Sequence, residues 1–301
     1  MKVIIPNTPA IISTSEAENE APAWSSDTTY AKDKKAVYEH AVYQSLADGN
    51  SGNQPDKTCF GTDAKWKKIG PTNAYAMVDD KISTQTVSSE DMLTVTLKFN
   101  RSTAFALLNV EATLLSVSVK AAQEETPYYT KTYDMLKDRR SRWLYRYEKA
   151  QRIKDVVDVG IGIVPSGTIT FSLSAPNGRP AVGHVAIGRA FDVGTTLYNA
   201  TPSIRSFSRV VEDEYGGARF IPRLSAKKLR CDLYLHLSEL DRVYEVLRSL
   251  INTPALWIGD NRTTAQGGVE CLTVWGYLQD VEAPIKGPDH VSIPITINGL
   301  V

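Results

Sequence analysis

The chain has 301 residues, of which 42% are apolar and 23% are charged, a composition typical of a globular protein with room for two domains and substantial cores. Its 34 basic and 34 acidic residues cancel, which argues against a role in which the whole protein is steered to DNA or to an anionic membrane. No apolar run approaches the roughly 18 residues that cross a bilayer, so we expect no membrane insertion.

The cysteines Cys59, Cys231 and Cys271 are too few and too scattered for a disulfide framework or a Cys-x-x-Cys metal site. The apolar run at the N-terminus carries one charge and is broken by Pro6, which is not the pattern of a secretory signal. We therefore expect a protein that is made and assembled in a reducing cytoplasm.

Residues 1–22 are predicted to form an extended N-terminal arm. Pro6, Pro9 and Pro22 exclude a long helix there. Such an arm can add a strand to the sheet edge of a neighbouring subunit, or it can be a frayed terminus. The sequence leaves both alternatives open.

Residues 23–70 are predicted to form a small, β-rich, aromatic module, here called the head. Its large aliphatic residues are few, so aromatic side chains are expected to supply most of its core. Exposed aromatic rings can instead stack on the apolar faces of sugars. The candidate sugar-binding residues are Trp24, Tyr30, Tyr38, Tyr43 and Trp66.

The segment from Trp66 to Asp80 joins the head to the rest of the chain and is here called the joint. Gly70-Pro71 predicts a turn, and the following apolar run suits a tight, buried crossing. Asp79 and Asp80 then offer two carboxylates, which with nearby carbonyl oxygens can hold a calcium ion. The alternative is a pair of solvated loop acids.

The joint follows the pattern W-x-x-I-G-P-T-N-x-x-A-M-x-D-D, which resembles an element of tail and baseplate proteins of tailed bacteriophages and prophages. The head resembles the chitin-binding-type modules that often precede that element, although residues 31–37 lack the glycine of their usual Y-x-x-G-D-x-V pattern. Weaker likeness extends to residues 205–208 and 254–259. The resemblance implies a galactose-binding-like jelly roll in the body and a place in a phage tail.

Residues 71–195 are predicted to form that jelly-roll β-sandwich. Apolar and polar residues alternate over 93–99, 115–119 and 169–173, which predicts strands with one buried face and one wet face. No helical period separates these strands, so antiparallel sheets are favoured.

Residues 137–154 combine basic and aromatic side chains, and Trp143, Tyr145 and Tyr147 alternate as in a strand. The pattern fits sheet packing, a subunit interface or single-stranded nucleic acid. Nearby acids dilute the positive field, so interface use is the preferred active role and no nucleic acid is expected. The candidate interface residues are Arg142, Trp143, Tyr145, Arg146 and Tyr147.

Residues 196–301 are predicted to form an α+β domain, an antiparallel sheet with one helix. Strict alternation over 229–237 predicts a strand, and a 3.6-residue period predicts a helix near 239–251. Ser238 is expected to cap this helix, with Asp241 at the capping-box position.

No catalytic motif is recognisable. Residues 160–165 lack the third glycine of a phosphate-binding loop, and neither His-Glu-x-x-His nor Gly-x-Ser-x-Gly occurs. The pair of carboxylates that a glycosidase needs cannot be identified from sequence. We expect a non-enzymatic structural virion protein of the tail tip or baseplate, homo-oligomeric and bound to other tail proteins, without a cofactor other than calcium. The alternative is a carbohydrate-binding protein that recognises a host glycan.

Overall fold

The computed structural model describes residues 1–7, 9–136, 142–147, 151–176, 178–251, 253–260, 270–285 and 287–301, without the side chains of residues 142, 144 and 145. The protein is mainly β, with 49% strand and 9% helix, as the sequence predicts. In chain order the strands are β1 (Lys2–Asn7), β2 (Ala10–Thr14), β3 (Lys35–Tyr38), β4 (Ala41–Ser45), β5 (Trp66–Pro71), β6 (Thr86–Val87), β7 (Met92–Asn100), β8 (Ala104–Leu108), β9 (Leu114–Ala121), β10 (Tyr129–Asp134), β11 (Val156–Asp158), β12 (Ser166–Ser174), β13 (Ala181–Val182), β14 (His184–Asp192), β15 (Thr195–Thr196), β16 (Thr201–Ser206), β17 (Arg209–Glu212), β18 (Ala218–Ile221), β19 (Ser225–His236), β20 (Ala255–Ile258), β21 (Thr273–Val281) and β22 (His290–Gly299). The helices are α1 (Arg142–Tyr147) and α2 (Leu240–Leu250), with 3-10 turns at Asn73–Val78, Leu237–Glu239 and Glu270–Leu272.

A large antiparallel sheet runs in the order β11-β8-β14-β1-β20-β21-β22-β19-β15, with β16 also paired to β19. The sheet is strongly curled. The ring of Trp275 on β21 lies 4.3 Å from that of His184 on β14, although β1 and β20 separate the two strands. In a flat sheet three strand spacings would hold these backbones about 14 Å apart.

The N-terminal segment is extended, as predicted, but its strands pair within the chain. β1 lies in the middle of the large sheet between β14 and β20, and β2 pairs with β7 at an edge of a second sheet. Val3 and Ile4 are fully buried on opposite faces. Because β1 bridges β14 and β20, one hydrogen-bonded sheet crosses residue 195, where the sequence suggested a domain boundary.

A second sheet, in the order β10-β9-β12-β7-β2, packs on one end of the large sheet. The predicted alternation is confirmed: Leu93, Val95, Leu97 and Phe99 are buried, as are the inward residues of β9 and β12. These side chains share one core with β8 and β14. The two layers therefore form a β-sandwich.

At its other end the large sheet wraps around α2. Val243, Leu247 and Leu250 are buried against it, which confirms the predicted amphipathic helix. The predicted cap is wrong, because Ser238 lies inside the 3-10 turn that precedes α2, and its own N–H is accepted by the His236 side chain. α2 itself begins after Glu239 without a side-chain cap.

The head is a three-stranded antiparallel sheet in the order β3-β4-β5, extended by a bridge between Ala23 and Val37. Its core is aromatic, as expected from the scarcity of large aliphatic residues. Among the described residues, no helix is long and apolar enough to cross a membrane.

Candidate functional site

Residues 201–230 form a long hairpin that projects from the large sheet, here called the projecting hairpin. β16 pairs with the first half of β19, and the ribbon continues as β17 and β18, which pair only with each other among the described strands. The tip is closed by Asp213, whose carboxylate accepts the N–H groups of Tyr215 and Gly217. Gly216 supplies the positive φ of 82° that this turn requires.

The projecting hairpin exposes apolar side chains. Val210 and Phe220 are directly opposite each other and are 56% and 64% exposed, and Tyr215 at the tip is 97% exposed. Ile204, Phe207 and Leu224 are also exposed. An isolated two-stranded ribbon is marginally stable in water, and clustered exposed apolar residues mark interaction sites. A partner that covers this surface would therefore stabilise the ribbon and bury its exposed apolar side chains.

The open edge of β16 is poorly suited to pairing with a strand of another protein. Pro202 lies in this strand, and proline is tolerated only where a strand leaves alternate N–H groups unpaired. A missing donor and charged side chains are devices that blunt sheet edges. A partner is thus expected to meet the face of the projecting hairpin.

The sequence offered a turn signal for this feature in Asp213 to Gly217, between Val210-Val211 and Phe220-Ile221. No local sequence pattern predicts that the ribbon is exposed to solvent.

The head does not present the predicted five aromatic residues as one platform. Tyr30, Tyr43 and Trp66 are buried, with the ring of Tyr30 packed edge-on against that of Trp66 at 5.0 Å. Trp66 Nε1 also donates to the carbonyl of Asn53 at 2.9 Å. Because protein covers the faces of these three rings, they hold the core of the head and cannot stack on a sugar.

Trp24 and Tyr38 are the two candidates that stay half-exposed. Their rings meet edge to face at 5.4 Å, and the Tyr38 hydroxyl accepts from Gln54. Phe60, which the sequence did not single out for sugar binding, is 80% exposed.

The joint fastens three parts of the chain. Thr72 Oγ1 donates to Glu18 at 2.6 Å and the Asn73 N–H donates to Glu20, which ties the joint to the N-terminal segment. The Asn73 side chain makes two hydrogen bonds with the backbone of Val87, at 2.8 and 2.9 Å. The ring of Tyr75 stacks on His40 of the head at 3.7 Å.

The carboxylate of Asp79, at the end of the joint, is held by hydrogen bonds within the chain. Asp79 accepts the N–H of Lys81 at 2.8 Å with one oxygen and the hydroxyl of Thr84 at 2.6 Å with the other. The described residues contain no group of three or more His, Cys, Asp or Glu side chains that could hold a metal ion. Calcium prefers six to eight oxygen ligands, which include backbone carbonyls as well as carboxylates, so calcium binding at Asp79 and Asp80 stays a prediction.

The strand that the alternation of Trp143, Tyr145 and Tyr147 suggested is wrong, because Arg142–Tyr147 is the short helix α1. The interface role of these residues stays a prediction. Trp143 and Tyr147 are four residues apart, and their rings lie 4.3 Å from each other, as neighbours on a helix face do. Both rings and Arg146 are exposed. The side chains of Arg142 and Tyr145, and the basic residues within 137–141 and 148–150, lie outside the described part of the chain.

One carboxylate, that of Asp158, receives several hydrogen bonds from the edge strand β10, a contact that the sequence analysis did not predict. Asp158 accepts from Tyr129, Tyr133 and Lys131 at 2.8, 2.6 and 2.6 Å, and from the Gly160 N–H at 2.9 Å. Burial alone would raise the pKa of Asp158, but the hydrogen bonds from Lys131, Tyr133, Tyr129 and Gly160 outweigh it and lower the pKa to about 2. Burial and these contacts raise the pKa of Tyr133. These contacts around Asp158 have a structural role, since they connect β10 to β11.

A groove of about 1040 Å³ lies between the ends of β8 and β19. One carboxylate on its wall, Asp155, is paired with Lys227 at 2.9 Å and accepts the N–H of Asn109 at 3.1 Å.

Comparison of the sequence with models of known protein families finds no match, and comparison with curated proteins finds none either. A functional assignment therefore rests on the resemblance of the joint and on the geometry described above.

Proposed function

We propose that this protein is a structural subunit of the tail tip or baseplate of a tailed bacteriophage or prophage-derived particle, assembled in the host cytoplasm. It acts through contacts with further copies of itself and with other tail proteins. The sandwich of the β10-β9-β12-β7-β2 sheet with β8 and β14 is, in this proposal, a galactose-binding-like jelly roll.

The observation that carries this proposal is the projecting hairpin. Its Val210–Phe220 pair is exposed on a ribbon without a core of its own, a surface that suits protein–protein contact. The resemblance of the joint, from Trp66 to Asp80, supplies the class of particle. The exposed Trp143 and Tyr147 on α1 offer a second contact surface, because Trp, Tyr and Arg dominate binding hot spots.

Replacing Val210 and Phe220 together by serine is expected to abolish self-association of the purified protein. The two side chains are exposed, so the free energy of unfolding measured in urea should stay within about 0.5 kcal/mol of the wild type. Light scattering after gel filtration measures the mass. The matched control replaces Met92 and Leu114, two exposed apolar residues on the sandwich, and should keep the wild-type mass.

The particle gives the second arm of this test. When the same double variant replaces the wild type in the host, electron microscopy should show particles without a finished tail end. Complete tails in the absence of this polypeptide would refute the structural role.

A second candidate function is glycan binding by the head, favoured by the half-exposed Trp24–Tyr38 pair. In this case Trp24→Ala and Tyr38→Ala should each reduce binding on a glycan array by about tenfold or more, because stacking on an aromatic ring is lost. Phe60→Ala is the control for a general loss of exposed aromatic surface. If the wild type binds no glycan on the array, the head has only a structural role.

A further inference from the structure

The projecting hairpin separates its charges along its length. The shaft, residues 201–211 and 219–230, carries basic side chains and no acidic ones, and the tip, residues 212–218, carries acidic side chains and no basic ones. The basic residues are Arg205, Arg209, Arg219, Arg223, Lys227, Lys228 and Arg230. The acidic residues are Glu212, Asp213 and Glu214.

This separation spans a large distance. Residues 201–212 are extended except at the irregular step between β16 and β17, so the tip stands about 40 Å from the foot at a rise of about 3.3 Å per residue. Within one chain the acids at the tip are therefore far from the basic residues at the foot, and the two ends do not neutralise each other.

The exposed Val210–Phe220 pair lies near the centre of this charge pattern. On one side of the pair are Glu212 and Glu214, and on the other are Arg205 and Arg223. If two hairpins lie side by side in opposite directions, each acidic tip faces the basic shaft of the other and the apolar pairs meet in the middle. If they lie in the same direction, acids face acids and basic residues face basic residues, which costs free energy.

We propose that the partner of the projecting hairpin is the projecting hairpin of a second copy of this chain, running antiparallel to it about a two-fold axis at the Val210–Phe220 pair. Such a contact is self-complementary, because the same surface serves both copies. The inference rests on the proposed assembly function and specifies the partner and the orientation of that contact.

The size of the contact sets its strength. A two-stranded ribbon of this length and about 10 Å wide buries on the order of 400 Å² per copy, or about 800 Å² in total. This is below the roughly 1,200 Å² of a stable standard interface. We therefore expect a weak dimer whose orientation is set by its charges. It should weaken further between about 0.05 and 1 M salt, as the Debye length falls from above about 10 Å to about 3 Å.

A charge-swap experiment tests the orientation. Glu212→Lys with Glu214→Lys reverses the tip, and Asp213 is kept because its carboxylate builds the turn. Arg205→Glu with Arg223→Glu reverses the shaft. Each double variant alone places like charges together and should weaken the dimer by about tenfold or more. In a one-to-one mixture both contacts become attractive, so the dimer should return.

The control reverses Glu124 and Glu125, which are exposed in the loop before β10, and should leave the dimer unchanged. Masses are measured by light scattering at low and high salt, with the urea midpoint of every variant as a check on folding. A monomeric wild type, a reversed variant that dimerises normally, or a mixture that stays monomeric would overturn the antiparallel pairing. If the Val210/Phe220 variant loses assembly but the mixture does not recover, the pairing fails and the structural role stands.

Discussion

Gly188→Ala is expected to destabilise the protein by about 3 kcal/mol or more, at the upper end of overpacking effects. Gly188 lies in β14 between β8 and β1, opposite Pro6. A Cβ atom there would lie 1.9 Å from the backbone oxygen of Ile5 and 3.0 Å from the Cα of Pro6. The obstacles are backbone atoms, which no rotamer change can move, so β1 must separate from β14.

Gly70→Ala is the matched control, since a Cβ at Gly70 meets nothing within 4 Å and its φ is not in the left-handed region. This variant should be as stable as the wild type within about 0.5 kcal/mol. Urea unfolding followed by tryptophan fluorescence compares the two, because Trp257 lies on β20, which pairs with β1, and Trp275 lies on the next strand, β21. Equal stability of the two variants would mean that β1 does not lie against β14.

The position of β1 shows where sequence reasoning reaches its limit. Val3, Ile4 and Ile5 are consecutive apolar residues, a pattern typical of a strand buried on both faces. The run therefore contained a signal for a central strand. Its two partners, β14 and β20, lie roughly 180 and 250 residues away, and no local pattern identifies partners at that distance.

The elements that the sequence predicted correctly are those in which one face is buried, because burial of one face gives the apolar residues a regular spacing within the element. The alternation in β7, β9 and β12 and the 3.6-residue period of α2 are of this kind. The segment around Trp143 satisfied two periods at once, because residues 143, 145 and 147 alternate and residues 143 and 147 are one helical turn apart. The ring contact between Trp143 and Tyr147 is the helical alternative.

The candidate sites depended on exposure, which the sequence does not encode at a single residue. Tyr30 and Tyr38 belong to the same small module, yet one is buried and the other is half-exposed. The charge separation of the projecting hairpin is visible in the sequence. Only the structure shows that the charged segments pair with each other in one hairpin that projects from the large sheet.

Asp158→Asn is expected to cost about 2–3 kcal/mol at pH 7, because the amide cannot accept from all the donors that converge on the carboxylate. Lys131, Tyr129 and Tyr133 lie on one face of β10 and all donate to the same oxygen of Asp158. The loss should appear first at β10, as faster amide exchange along Tyr129–Asp134, because β10 is an edge strand. Asp134→Asn is the control on the same strand, since the Asp134 carboxylate accepts from the nearby Leu136 N–H.

The wild type should also lose the contribution of Asp158 in acid. Its pKa in the folded protein is about 2, against an ordinary value of 3.8, so the charged carboxylate stabilises the fold fully above pH 4 and progressively less as the pH falls towards 2. After allowance for solvent screening the effect is about 1–2 kcal/mol. The difference in unfolding free energy between the wild type and Asp158→Asn should therefore narrow between pH 4 and pH 2.5. A difference that is constant over this range would show that Asp158 is not held as an anion by Lys131 and the two tyrosines.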